Sequence, residues 1–215
     1  MEIILFIFIT IAFIFGILEY RFHKKNLLKI PIRIHVNGSR GKSSVVRLIA
    51  AGLRQGGLKT YAKTTGTSPR IINENGQDKY IHRLRSASIG EQISLIRFFS
   101  KLNPDVLVIE CMAVNPQYQW VSEQKIVQST IGVLTNVRPD HLDEMGINLD
   151  QITKSMANTI PFNGVMVTSE EKKVKILKSI SDKRNTKLYI ANSKIEKKDL
   201  DNFNYLEHKE NISLS

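Results

Sequence analysis

Ile3 to Leu18 is an almost unbroken apolar run, interrupted only by Thr10, Ala12 and Gly16. At helical rise this is slightly short of the ~20 residues that cross a bilayer core. Extension through Tyr20 and Phe22, with Arg21 and Lys24 snorkelling, makes up the difference. Beyond Pro31 the pattern changes to short apolar runs alternating with amphipathic stretches. Strands are predicted at Ile32–Val36, Lys59–Thr64, Asp105–Cys111, Thr130–Asn136, Val165–Thr168 and Lys187–Ala191. Helices are predicted at Lys42–Arg54, stopped by Gly56-Gly57, and at Asn148–Ile160 and Lys172–Asp182. Another opens at a capping box, Ser88-Ile-Gly-Glu91, and runs to about Leu102. Asn73–Gly76 reads as the turn of a hairpin between two short β-like runs. Strands alternating with helices imply an α/β fold, with a mostly parallel sheet covered on both faces. The expected organisation is an anchor over residues 1–25 and one domain over 31–215.

The bulk properties agree with a globular domain. Of the 215 residues, 42% are hydrophobic and 24% charged, enough to bury a core. The formal net charge of +11 suits polyanionic partners or a solvated lysine-rich surface, and charge does not choose between them. The single cysteine, Cys111, excludes an internal disulfide, and no Cys/His spacing resembles a zinc site. The Met1-Glu2 start, and the bulky Tyr20 and Phe22 after the run, favour an uncleaved anchor over a cleaved signal peptide. Arg21, Lys24, Lys25 and Lys29 follow the span, and the positive-inside rule then puts the domain in the cytosol.

Candidate chemistry begins at Asn37-Gly-Ser-Arg-Gly-Lys-Ser43, between a predicted strand and a predicted helix. Glycines let backbone N–H groups curl around phosphate oxygens, Lys42 brings a positive charge, Ser43 offers a hydroxyl to Mg²⁺, and the helix N-terminus adds its dipole. A full-length loop of this kind would have glycine at Val36, so this one is shortened. Glu110 ends an apolar strand, where an open α/β sheet presents its ligand crevice, and a carboxylate there is a natural Mg²⁺ ligand. Cys111 reads as a small buried residue. In Thr135-Asn-Val-Arg-Pro-Asp-His-Leu-Asp143, His141 is a candidate metal ligand, with Asp140 and Asp143 to orient it or hold water. Thr64-Thr-Gly-Thr-Ser-Pro-Arg70 suits an anion or is an ordinary turn.

In this order, the shortened loop, the strand-end Glu110 and the Thr135–Asp143 segment resemble a Mur-ligase-type ATPase core. More closely, the chain resembles the ligase-subunit family of poly-γ-glutamate capsule synthases, over nearly its whole length. The resemblance includes the N-terminal apolar helix, K-T-T-G-T at Lys63–Thr67, I-G-E-Q at Ile89–Gln92 and E-C-M-A-V-N-P at Glu110–Pro116. It implies a P-loop-containing fold like the Mur ligase central domain, preceded by one transmembrane helix. It also implies an ATP-dependent ligase that phosphorylates a terminal carboxylate for attack by the amine of glutamate. By the same resemblance Asn37, Gly38, Ser39, Arg40, Gly41, Lys42, Ser43 and Ser44 bind ATP. Ser43, Glu110 and His141 hold Mg²⁺, and Lys42 and His141 are the catalytic candidates. The implied partners are glutamate, the poly-γ-glutamate chain, the cell membrane and small multi-span membrane subunits, with no nucleic acid. Family members continue well past Ser215 into a domain that closes over ATP, so the resemblance implies a fragment or a truncated product. The carbamylated lysine of Mur enzymes has no assigned counterpart here.

Two other readings of the residues stay open: a membrane-anchored P-loop NTPase with another task, and a non-catalytic scaffold of a synthase complex. For all three the topology is testable. Protease added outside intact cells is expected to leave the domain from Pro31 onward uncut; its digestion from outside would defeat both the orientation and the access to ATP.

Overall fold

Helix α1, Glu2–Leu28, carries the apolar run, and every large apolar side chain from Ile3 to Leu18 is exposed on it. It is long and apolar enough to cross a membrane, with a mean hydropathy of 2.6 over its most apolar window. The computed structural model describes residues 1–66, 68–82, 88–191 and 208–215, so Thr67 of the Lys63–Thr67 block lies outside the described residues.

The last turns of α1 are not free. His23, Asn26 and Leu27 are buried; His23 Nε2 lies 2.8 Å from the Ile126 carbonyl, and Ser100 Oγ donates to Asn26 Oδ1 at 3.1 Å. The charges after the span are not uniformly basic, because Glu19 intervenes and pairs with Arg97 at 3.4 Å. Arg97 also covers the Phe22 ring. The helix therefore runs past the expected residue-25 boundary and ends inside the domain's packing, three residues short of the first strand.

The strands are β1 (Ile32–Asn37), β2 (Thr60–Thr64), β3 (Arg70–Ile72), β4 (Asp78–Tyr80), β5 (Val106–Glu110), β6 (Ile131–Leu134), β7 (Val165–Thr168) and β8 (Lys187–Ile190). They form one sheet of eight in the order β4-β3-β2-β5-β1-β6-β7-β8. The run from β2 to β8 is parallel, and β3 and β4 add an antiparallel hairpin at one edge. The expected turn at Asn73–Gly76 joins these two.

Period-two alternation sends side chains to opposite faces. Val106 and Val108 of β5 pack with Ile34 and Val36 under α2 (Lys42–Gln55), whereas Leu107 and Ile109 pack with Ile96 and Phe99 of α3 (Glu91–Ser100). The α3 face also carries α4 (Pro116–Val121), α5 (Leu142–Met145), α6 (Leu149–Met156) and α7 (Val174–Lys183). Met145, Ile152, Met156 and Leu177 there pack on Leu134 and Met166. A short helix, α8 (Lys209–Ser213), lies against α2 on the other face and adds Leu214 to the cluster of Ile34, Val36, Val106 and Val108.

Two local expectations change. Helix α3 starts at Glu91 without a side-chain cap; Ser88 Oγ instead accepts from the Gly90 N–H at 3.3 Å, which closes a tight turn ahead of the helix. Helix α4 and the π-helical turn after it, Ser122–Val127, were not expected from the sequence at all. That π turn places Glu123, 1% exposed, beside His35 at the centre of β1, with Nδ1 and Oε2 2.7 Å apart. Glu123 Oε1 also accepts from the N–H and the hydroxyl of Ser129, each at 2.9 Å.

Burial alone would push the His35 imidazole down, but its contacts with Cys111 and Glu123 outweigh burial and raise its pKa to about 10. A group whose pKa rises on folding contributes stability that is full below its unfolded value of 6.5 and is lost as pH climbs through about 10. Denaturation of the detergent-solubilised chain is therefore expected to become easier across that interval. Glu123→Ala should cost about 3–5 kcal/mol at neutral pH by leaving a buried charge unpaired. A His35→Gln chain with the same decline across that interval would remove this pair from the account.

Candidate functional site

Strand β1 lies between β5 and β6, and the chain leaves it for β2 on one side before returning to β6 on the other. Such a reversal opens a crevice at the carboxyl ends of the strands. The loop after β1 occupies it. Val36, where a longer phosphate loop has glycine, is fully buried, and its carbonyl accepts from the Cys111 N–H at 2.8 Å. The strand thus persists through Asn37, and the loop begins at Gly38, two residues past the position where the long form has its first glycine.

Two glycines shape the loop. Gly38 has φ +138°, and a Cβ there would fall 2.0 Å from Thr135 Oγ1. Gly41 has φ +81° and stands at the N-cap of α2 without any side-chain cap. The N–H groups of the first turn of α2 therefore point into the crevice as donors that the helix itself cannot satisfy.

The other loop side chains brace rather than reach outward. Asn37 Oδ1 accepts from the Gly38 N–H at 2.8 Å, and its Nδ2 donates to Gln119 at 2.9 Å and Thr159 at 3.2 Å. Ser39 Oγ donates to the Arg138 carbonyl and accepts from the Arg138 N–H, both at 2.9 Å. The Arg40 carbonyl accepts from Thr135 Oγ1 at 2.7 Å and Asn136 Nδ2 at 3.0 Å, while its guanidinium stays largely exposed, 3.8 Å from Asp140. Ser44 follows in the first turn of α2, half-buried. The loop is thus pinned to the segment after β6 from two sides.

Lys42, Ser43 and Glu110 meet at the centre. Lys42 Nζ donates to the Gly38 carbonyl at 2.7 Å, so the ammonium arches over the loop. Ser43 Oγ donates to Glu110 Oε2 at 2.8 Å, and the Thr65 N–H donates to the same oxygen at 2.7 Å. The Glu110 carboxylate, 3% exposed at the end of β5, thereby joins the ends of β1 and β2.

Lys42, Glu110 and His141 line one cavity of about 290 Å³, together with Thr65, Gly66 and Asp140. His141 caps α5 at φ +46°, more than half exposed, with Nε2 3.8 Å from Asp140 Oδ1. Asp143 sits exposed on α5 and is not among the lining residues, and neither is Arg70. Arg70 instead pairs with Asp78 at 3.5 Å and lies over the Tyr80 ring, within the β3–β4 hairpin.

The sequence reading missed the apolar wall of the cavity, formed by Met112, Ala113, Val114 and Met145. It also missed Lys63, fully buried on β2 and 3.7 Å from Glu91 Oε1. A lysine on a strand flanked by buried neighbours was the available signal for that pair.

Comparison with known proteins gives this arrangement relatives. The profile of the Mur ligase middle domain matches residues 36–215. The chain is 40% identical over 205 residues to the capsule biosynthesis protein CapB of Bacillus anthracis, covering 94% of this chain and 44% of the relative. It is 40% identical over 215 residues to the PGA synthase CapB of Bacillus subtilis (strain 168), covering 99% and 55%. The chain thus spans about half the length of the curated relatives it matches. Among solved structures, E. coli FolC in complex with ADP superposes with a TM-score of 0.65 at 15% identity, over 80% of this chain and 45% of that one. A bifunctional folylpolyglutamate synthase/dihydrofolate synthase with Mn, AMPPNP and L-glutamate bound superposes with a TM-score of 0.60 at 17% identity, over 80% and 46%.

The glycine geometry yields a test that needs no ligand. Gly38→Ala adds a methyl group against Thr135 at a backbone angle that L residues avoid. It is expected to destabilise the purified chain by about 2–4 kcal/mol in denaturant unfolding. The Gly38→Ala/Thr135→Ala double variant, with the obstructing hydroxyl removed, should recover part of that loss. No recovery would mean that the close approach is not what selects glycine.

Proposed function

The chain belongs to the Mur ligase family through its middle domain, and from that premise we propose that it is the membrane-anchored, ATP-binding part of a ligase that extends poly-γ-glutamate. One observation carries the reading: the Glu110 carboxylate, which accepts from the Ser43 hydroxyl at 2.8 Å, shares a cavity wall with Lys42, Asn37 and Gly38. The names of the two Bacillus relatives and the L-glutamate bound to a structural neighbour support the choice of substrate.

The residues fit Mg²⁺ and ATP. Ser43 and Glu110 offer hard oxygen donors, and the first turn of α2, whose Gly41 N-cap brings no side chain, offers backbone N–H groups to phosphate oxygens. Among the described residues no three His, Cys, Asp or Glu side chains cluster as a metal cage. A divalent ion here takes its remaining ligands from phosphate and water, which is the habit of Mg²⁺. In this reading Ser43, Glu110 and His141 hold the metal, and Asn37 to Ser44 cradle the triphosphate.

When bound, ATP supplies the phosphoryl group that gives a carboxylate a leaving group, and the amine of glutamate then displaces phosphate to form the amide. The chain's own contribution is positioning and charge neutralisation. Lys42 leaves the Gly38 carbonyl for the terminal phosphate. Met112, Val114 and Met145 keep one wall of the site apolar, which limits hydrolysis of an activated carboxyl group. Asp140 orients the His141 imidazole. Residues 1–25 form the anchor, with the turns of α1 from His23 onward seated against the domain, and residues from 31 onward form the cytoplasmic domain, beside small multi-span membrane subunits.

Lys42→Ala is expected to weaken binding of Mg²⁺-AMPPNP by about 1.5–3 kcal/mol, the range of a charge-assisted hydrogen bond, in a titration of the folded chain. Phosphate release from ATP should require both a polyglutamate carboxylate and free glutamate. Unchanged affinity in the folded variant would move the nucleotide elsewhere, and release indifferent to both substrates would point to a plain NTPase.

A further inference from the structure

The opposite end of the sheet carries a second cavity, of about 390 Å³, where α1 joins the domain. Tyr20 and Lys24 of α1, Arg33 of β1, Lys125 of the π turn and Phe162 line it. None of this belongs to the site described above, which lies at the other ends of the same strands.

Its electrostatics are one-sided. Lys24 Nζ donates to the neutral side-chain oxygen of Gln128. Arg33 donates to the backbone carbonyls of Val127, Gln128 and Ile30. The Lys125 ammonium lies 5.2 Å from the centroid of the Trp120 ring. Glu123 is the acid of the lining, but it is turned inward to His35 and Ser129. The paired imidazole, held protonated, matches its charge. Three cations therefore face one cavity with neutral partners, an arrangement that attracts an anion.

Its height along α1 matters equally. The run Ile3–Leu18 covers about 24 Å of helix, and Lys24 stands about 9 Å beyond Leu18. With Ile3–Leu18 in the hydrocarbon, Tyr20 sits at the interface and Lys24 at the outer margin of the headgroup layer. Tyr20 and Phe162, 54% and 55% exposed, flank the opening as aromatic residues do at membrane interfaces. A basic pocket at that depth meets lipid phosphates before any solute.

We propose that this cavity binds the phosphate of one anionic glycerophospholipid, clasped by Lys24, Arg33 and Lys125, and so fixes how the domain sits on the bilayer. The proposal rests on α1 being a membrane anchor and is independent of the ligase chemistry.

The test uses the full chain in nanodiscs of phosphatidylcholine, alone or mixed with phosphatidylglycerol, with retained lipid counted by native mass spectrometry. One phosphatidylglycerol per chain is expected to persist in preference to phosphatidylcholine. Lys24→Gln and Lys125→Gln should each weaken retention about five-fold, the effect of one interfacial cation. Lys25→Gln on α1 and Lys29→Gln just after it, both exposed outside the cavity, should leave it unchanged. Equal retention of both lipids, or equal loss in all four variants, would reduce the effect to diffuse surface charge and overturn the site. Displacement of the lipid by millimolar glycerophosphate would assign the cavity to a free anion instead. Failure of the chain to enter either disc would defeat the anchor and this proposal together, whereas entry without selective retention defeats the lipid site alone.

Discussion

Strand β1 is hydrogen-bonded on both edges and covered on both faces, and the rest of the molecule is arranged around that constraint. Its partners are fixed residue by residue, with Val36 opposite Glu110 on one side and Asn37 opposite Leu134 on the other. A strand so enclosed cannot slip, since a one-residue shift would drive Ile34 and Val36 from under α2 to the opposite face. The loop that follows inherits this precision. Gly38 touches Thr135 because β6 is β1's neighbour, and Ser43 reaches Glu110 because β5 is the other. At the same strand's centre, His35 presents a fully buried imidazole, and the π turn with Glu123 is what accommodates it. One extra residue per helical turn, which is what a π turn provides, brings that carboxylate level with the ring.

Most of this was legible in the sequence where a single local rule dominates. The apolar run of α1, the strand–glycine–helix succession at Ile32–Arg54 and the strand ending in Glu110 each carry their own signal. The convergence of loop, Glu110 and His141 on one sheet edge also follows from parallel strand order. What was not legible depends on partners remote in sequence. Helix α4 and its π turn have no clear period and exist because Gln119 is held by Val114 and Ser155, and Glu123 by His35. The capping box at Ser88 had the right letters, but the hydroxyl found a nearer donor in Gly90. The segment Thr64–Arg70 fitted an anion site or an ordinary turn equally well, and in the hairpin Arg70 takes Asp78 and the Tyr80 ring as partners. Asn37 and Ser39, read from the sequence as part of the nucleotide loop, also hold that loop in shape through their side chains.

The Glu110 carboxylate illustrates how one group does two jobs. In the arrangement seen, a single oxygen accepts from both the Ser43 hydroxyl and the Thr65 N–H, so a buried charge is solvated by donors from two other strand ends. The same two contacts preorganise it, since its position no longer depends on what enters the cavity. Lys42, by contrast, has among the described residues only backbone carbonyls as hydrogen-bond partners and can turn outward at modest cost. The site therefore combines a fixed anion with a movable cation, a division suited to a ligand whose charge is concentrated at one end.

Helix α1 passes into β1 with only Lys29 to Pro31 between them, and its final turns are packed against α3. With α1 as the anchor proposed above, every copy would stand on the bilayer in the same sense, with little freedom except rotation about the membrane normal. That restricts symmetry. Two copies in one membrane cannot be related by a two-fold axis lying in its plane, because one would have to be inverted. Any closed assembly of this chain in one membrane must therefore be cyclic, with its axis along the normal and all cavities opening on the same side.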